Sequence, residues 1–470
     1  MSNKVRVRFA PSPTGHLHLG GLRSALFNYL LAKHSHGTFI LRIEDTDRER
    51  LVPEAVQQIQ DSLKWIGINW EEGVGASGDH GPYIQSERLK IYQEHANQLL
   101  EKDLAYKDFT SSERLDEFRK EAADKKQPFR FKKSMAQLEP LKAGDKFVIR
   151  FEIKEGNEVT WDDAVWGRQS WNRNELDDFV AIKSDGYPTY NFAVVVDDHL
   201  MNISHVMRGS EFLSTAPKNI LVYEAFGWET PQFVHLPPVL GPDKAKLSKR
   251  HGAKSALEYR DGGYLPEAVA NYLATLGFND GTTREIYTSD ELADVFTLDR
   301  IQSSPAIFDA NRLDWMNGMY IRELNIDDLY SRIEDFWPES SKDYEPDYKK
   351  RVLELVHDRL KYLSELPELT DFFFKDPKLD KGQLDKQIEN STVLIRDISD
   401  TLSGSDFSEN DLEEKLREYV SDKNLKTGKV FGLIRLAITG KTAAPGLFET
   451  MSTLGKEVVL KRLNSAKELN

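Results

Sequence analysis

The sequence predicts an α/β protein: a doubly wound parallel sheet, interrupted by an α+β insertion and followed by a mainly α-helical C-terminal region. Three observations carry that prediction. Residues 1–70 alternate strand and helix patterns, residues from about 105 to 185 break the alternation, and beyond Glu323 the apolar spacing is helical. At 470 residues the chain is too long for one compact domain. A hydrophobic fraction of 39% with 30% charged residues describes an ordinary globular protein rather than a disordered one.

Taken in order, residues 5–10 alternate apolar and charged side chains and stop at Pro11-Ser12-Pro13-Thr14-Gly15, which reads as a strand entering a turn. Leu22, Leu26, Tyr29 and Leu30 recur at helical spacing from Leu19 to about Lys33. Residues 39–43 read as the next strand, and Pro53 opens a helix that puts Val56, Ile59, Leu63 and Ile66 on one face. Strand, helix, strand, helix is the pattern of a parallel sheet. The insertion holds a charged helical stretch, a strand at 147–153 and an aromatic segment at 161–171. Residues 179–182, 192–196 and 203–207 read as resumed strands, 217–226 as a helix, and Pro445 starts a late helix on Leu447, Phe448, Met451 and Leu454.

Composition excludes several classes. The chain has no cysteine, so disulfides, thiolate zinc sites and cysteine nucleophiles are absent; a reducing, cytoplasmic location is the expectation. The N-terminus lacks the apolar core of a signal peptide. Apolar runs such as 192–196 fall far short of the roughly 20 residues a bilayer-spanning helix needs, so no membrane partner is expected. The 63 basic and 77 acidic residues give a net charge of −14, which argues against a nonspecific nucleic-acid coat. Charge is uneven, however. Residues 326–420 carry 14 Lys/Arg against 25 Asp/Glu, whereas 421–470 carry 9 against 4, a local +5.

Gly73, Gly75 and Gly78 spell a dinucleotide fingerprint but run into Asp79-His80-Gly81-Pro82 instead of a helix, so a surface turn is the better reading. No P-loop is present. Two other stretches carry chemistry. Residues 8–21 leave the first strand and end in His16-Leu17-His18-Leu19-Gly20-Gly21, where a helix begins. A helix N-terminus presents unpaired N–H groups and the positive dipole end, and glycines let a phosphate approach the backbone. Gly241 to Gly252 encloses Lys244, Lys246, Ser248, Lys249, Arg250 and His251, a basic loop suited to charge building on a leaving pyrophosphate. Together they suit one ATP site.

These two loops resemble the HIGH and KMSKS signatures of class I aminoacyl-tRNA synthetases, here His18-Leu19-Gly20-Gly21 and Lys246-Leu247-Ser248-Lys249-Arg250. More narrowly, residues 8–15, 42–47, 81–88, 184–190, 196–200, 315–318, 436–440 and 454–457 resemble bacterial glutamyl-tRNA synthetases. The resemblance spans nearly the whole chain and is weakest from about 325 to 425. It implies a Rossmann-like catalytic domain whose first half is 1–105 and second half 186–245, with an acceptor-stem-binding insertion at 106–185. A stem-contact region with the KMSKS-type loop follows at 246–323, then a helical anticodon-binding region at 324–470, split near 375.

The resemblance also implies the reaction: L-glutamate is activated by ATP to glutamyl-adenylate, and the glutamyl group passes to the terminal adenosine of tRNA(Glu), at its 2′-hydroxyl. Mg²⁺ travels with ATP; zinc is not expected. His18, Gly20, Gly21, Val239, Lys246, Ser248 and Lys249 would meet ATP, with His18, Lys246 and Lys249 catalytic. Arg8, Ala10, Ser12, Glu44, Tyr190 and Arg208 would form the glutamate pocket, the arginines facing its side-chain carboxylate and Glu44 its ammonium. Arginine suits that task because its planar fork pairs with a carboxylate bidentately. Arg359 would face the anticodon. A monomer and a tRNA-dependent activation step are further implications, and whether tRNA(Gln) is also charged stays open.

The chain departs from the pattern at Gly21, in place of the last histidine of HIGH, at Phe212, where some relatives carry tryptophan, and at Val194, where some carry asparagine. A glutaminyl-type synthetase would typically show Pro-Glu-Pro-Asn at 11–14 and a β-barrel anticodon region. Small nucleotidyltransferases lack the lysine loop, a truncated tRNA-modifying relative lacks the C-terminal third, and an inactive tRNA-binding paralogue has no need of both catalytic motifs.

Overall fold

The computed structural model describes residues 4–15, 17–142, 144–245, 247, 250 and 254–469. Two units divide the chain: 1–259 with 269–310, and 260–268 with 311–470.

In the first unit, β1 (Arg6–Phe9) runs parallel to β2 (Thr38–Leu41), with Val7 opposite Phe39, and α1 (Leu19–His34) makes the crossover. After α2 (Ala55–Trp65), β3 (Glu72–Gly73) adds to β2, again parallel. Then come α3 (Leu89–Glu101), β4 (Ala105–Asp108), α4 (Ser112–Asp124), β5 (Val148–Phe151), β6 (Val159–Asp163), β7 (Gly167–Trp171) and β8 (Phe179–Ile182). The chain continues through α5 (Tyr190–Leu200), β9 (His205–Gly209), α6 (Ala216–Phe226) and β10 (Gln232–Leu236) to β11 (Val239–Leu240). Strands β9 and β10 pair in parallel, and β10 meets β6 on its other edge. Ser204, just before β9, donates its N–H to the Arg6 carbonyl at 2.9 Å and accepts from the Arg6 N–H at its hydroxyl. The strand order therefore reverses between β1 and β9, as the doubly wound prediction requires.

Two expectations need correction. Residues 192–196 are not a strand but the middle of α5: every one of them is buried, so the run has no periodicity to reveal its 3.6-residue repeat. Residues 179–182 do form a strand, but it belongs to a separate antiparallel sheet β4-β5-β8 rather than to the parallel one. The β6–β7 hairpin, in turn, joins the parallel sheet through β10. The 203–207 strand is shifted to His205–Gly209.

The glycine-rich stretch opens no helix, as its sequence context predicts, but its first glycine is not in a surface turn: Gly73 ends the strand β3, and residues 74–76 turn away from it. Gly73 sits at φ 135°, and a Cβ there would collide with the Leu41 carbonyl oxygen of the paired strand. Gly73→Ala is therefore expected to lower stability by about 2–4 kcal/mol, read as a reduced urea midpoint with no effect on nucleotide affinity.

At the amino end of the sheet, Arg6 grips Glu72 with two bonds, Nη1–Oε1 at 2.7 Å and Nη2–Oε2 at 3.0 Å. That grip, against the opposing effect of burial, holds the Glu72 carboxyl down at about 2. A depressed carboxyl pKa contributes fully above the unfolded value near 4.5 and is lost as pH falls through about 2. Stability measured from pH 4.5 down to 2 should fall less steeply in Glu72→Gln than in the wild type.

The second unit is helical. One apolar cluster gathers Leu265, Ile321, Leu329, Leu353 and Leu360; another spans Val352 to Ala466. Asn317 is fully buried and bridges two backbone segments, accepting from Leu265 N–H at 2.8 Å and donating to the Lys361 carbonyl at 2.6 Å. The late helix is present at Leu447–Leu454.

Candidate active site

The carboxyl ends of β1 and β9 are the place where strand order reverses, and a cavity of about 850 Å³ opens there. Open α/β sheets bind ligands at this crevice because the connections on either side turn opposite ways. All six residues of the expected amino-acid pocket line it: Arg8, Ala10, Ser12, Glu44, Tyr190 and Arg208. They come from β1 and its following turn, the segment after β2, the first turn of α5, and β9.

Gly21 also lines the cavity, and a Cβ at this position would come within 2.7 Å of Leu17 Cδ1. A histidine here, as in the HIGH pattern, would require the Leu17 side chain to shift. His18 and Gly20 do not border the cavity. His18 is exposed at the N-cap of α1, where among the described residues no side chain caps the helix and no acidic residue sits in the first turn to offset the positive dipole end. Ser255 forms an antiparallel bridge with His18, which ties the end of the basic-loop region to the helix start. Val239 is buried in β11, paired with Ala306 of β12 (Ala306–Ile307), and does not border the cavity. Lys246, Ser248 and Lys249 lie outside the described residues. Arg359, in the second unit, is exposed in a short turn (His357–Arg359) with no ion-pair partner among the described residues.

Beneath the cavity the motifs converge on a buried ion network. Arg42, with no exposed surface, donates to Glu44 at 2.9 Å and to Asp198 at 2.7 Å. Asp198 also accepts from Arg8 at Nε (3.0 Å) and Nη2 (3.2 Å). Asp197 accepts from Arg88 at 2.7 Å, from Gln85 at 2.9 Å and from the Tyr92 hydroxyl at 2.8 Å. Three arginines face three carboxylates. Burial opposes ionisation of Asp198, yet Arg8 and Arg42 hold its carboxyl below the ordinary range. Burial raises Glu44, against the pull of Arg42.

Arg208 differs. Its Nε donates to His235 Nε2 at 3.2 Å, Nη1 to the Tyr190 hydroxyl at 2.9 Å and Nη2 to Asn219 Oδ1 at 2.9 Å. No ion pair joins it to a carboxylate among the described residues. Phe212 lies 5.4 Å below the guanidinium and 5.2 Å from the Tyr190 ring, so the smaller aromatic still packs the wall. Val194 is buried in the core and does not reach the cavity. The sequence placed Asp198 in the 196–200 motif without giving it a role, and did not single out Asn219, His235 or Ser255. The one local signal is a polar side chain inside an apolar run, as in Val234-His235-Leu236, which buries only with a partner.

A family model described as the catalytic domain of class I tRNA synthetases (E and Q) matches residues 4–315, and one described as an anticodon binding domain matches 328–467. The chain belongs to the class I tRNA synthetase family. Within that family it is similar to a glutamate–tRNA ligase of Dehalococcoides mccartyi (44% identity, 99% of this chain and 98% of the relative). It is likewise similar to glutamate–tRNA ligase 2 of Caldicellulosiruptor saccharolyticus (41%, 99% of each). The crystal structure of a glutamate tRNA ligase from Elizabethkingia meningosepticum, in complex with its amino acid, matches this class I synthetase fold with a TM-score of 0.92 (35% identity, 99% of each chain).

Proposed function

We propose that the chain is a glutamate–tRNA ligase. A carboxylate oxygen of L-glutamate attacks the α-phosphorus of ATP, the bond to the β-phosphate breaks, and pyrophosphate leaves. The terminal ribose hydroxyl of tRNA(Glu) then attacks the acyl carbon and AMP departs. The substrate supplies its own nucleophile, so the protein contributes positioning and charge.

The observation that carries this reading is Arg208: a cation on the cavity wall, held by three neutral acceptors and ion-paired with no carboxylate among the described residues. A side-chain carboxylate completes that arrangement, whereas a carboxamide leaves the charge unmatched, so glutamate is preferred to glutamine. Glu44 receives the α-ammonium, and Ala10, Ser12 and Tyr190 shape the pocket. Arg8 supports it through Asp198. The N-terminus of α1, with His18, Gly20 and Gly21, takes phosphate; Val239 borders the nucleotide, and Lys246, Ser248 and Lys249 stabilise the leaving pyrophosphate.

Among the described residues no group of three His, Cys, Asp or Glu side chains is placed to hold a metal. Mg²⁺ would travel with the nucleotide, ligated mostly by phosphates and water. The insertion at 106–185 takes the acceptor stem, 246–323 the stem beyond it, and 324–470 the anticodon, with Arg359 as a contact. The working form is a cytoplasmic monomer.

Transfer of labelled glutamate to acid-precipitable tRNA(Glu), dependent on ATP, is the expected result. Binding of tRNA without transfer would instead support an inactive paralogue.

A further inference from the structure

Arg23, which does not line the cavity, is buried against the Leu276 and Pro237 carbonyls, whereas the other buried arginines at this end of the sheet are matched by acids: Arg8 by Asp198, Arg42 by Asp198 and Glu44, Arg88 by Asp197. Arg208 is as well held as these, but by neutral atoms. Two of its three acceptors lie away from the cavity lining. Asn219, 1% exposed on α6, presents Oδ1 to Nη2. His235, on β10, can accept at Nε2 only as the neutral Nδ1–H tautomer, and Asp163 fixes that tautomer by accepting from Nδ1 at 2.6 Å. Both members of that pair are fully buried. Burial further disfavours the imidazolium, in the same direction as the Arg208 charge.

A carboxylate at either position would hold the guanidinium with equal geometry and stronger bonds, but it would cancel the charge that the cavity displays. Neutral acceptors orient the fork and leave its charge for the ligand.

We propose that Asn219 and His235 are positioning residues that determine specificity: by holding Arg208 without neutralising it, they make the cavity prefer a carboxylate over a carboxamide. Asp163 acts through His235. The inference rests on the cavity being the glutamate site.

The test uses the full chain with tRNA(Glu), following glutamate-dependent ATP–pyrophosphate exchange and its inhibition by glutamine. Wild-type protein that shows no glutamate-dependent exchange would remove the glutamate reading itself. With exchange established, Asn219→Asp should lower kcat/KM for glutamate about 10- to 100-fold, while the KM for ATP and inhibition by glutamine are unchanged. Asn219→Ala, which removes the acceptor but adds no charge, should lose less. Equal losses in the two variants, or parallel losses for glutamate and glutamine, would overturn the proposal. Should Asn219→Asp fail to fold, His235→Gln and His235→Leu carry the test. Gln retains an acceptor near Nε2 and should keep the glutamate-to-glutamine preference, and Leu should reduce it; the same preference in both would contradict the proposal.

Discussion

Arg208→Ala is expected to lower kcat/KM for glutamate by about 10²- to 10⁴-fold, the equivalent of the roughly 3–5 kcal/mol that an unmatched buried charge costs. The buried charge in question is the carboxylate of the substrate. Because Arg208 makes no ion pair among the described residues, its removal strands none of their carboxylates, so stability should change little relative to activity. The KM for ATP should hold. Arg8→Ala is a contrasting case: the sequence alone casts it as a direct carboxylate contact whose loss abolishes activation with ATP binding intact. Its bidentate bond to Asp198 adds a structural penalty, since Asp198 is left with Arg42 alone. Comparing urea midpoints with kcat/KM for the two variants separates a residue that serves the ligand from one that also serves the core.

Arg42→Met should be the most destabilising single change in the first unit. It strips Glu44 and Asp198 of a shared partner at a site with no exposure, and one broken buried pair costs about 3–5 kcal/mol. The urea midpoint should fall with an unchanged slope. Adding Asp198→Asn to Arg42→Met should cost less than the sum of the two single changes, because the stranded charge has been removed. An additive double variant would mean that the two side chains do not depend on each other.

Much of the fold was legible because its elements carry their own periodicity. β1 alternates, α1 repeats at helical spacing, and the turn between them is written in prolines and glycine. Helix α5 was not legible, because Phe192 to Val196 are buried all round and an apolar run looks the same in a strand and a helix. The pocket residues were reached through motif resemblance, and the sheet brings them to one crevice. Their partners were not reached. Asp198 meets Arg8 across 190 positions and His235 meets Asp163 across 72, distances over which spacing carries no signal. What distinguishes Arg8 from Arg208 is the charge of the partner, and that becomes visible only in three dimensions.

The most direct measurement is ATP–pyrophosphate exchange by the wild-type chain, with glutamate or glutamine as the amino acid and with or without tRNA(Glu). Exchange that requires glutamate, is not supported by glutamine and depends on tRNA is the predicted result. No exchange by folded protein with active tRNA, or equal exchange with glutamine, would contradict the account.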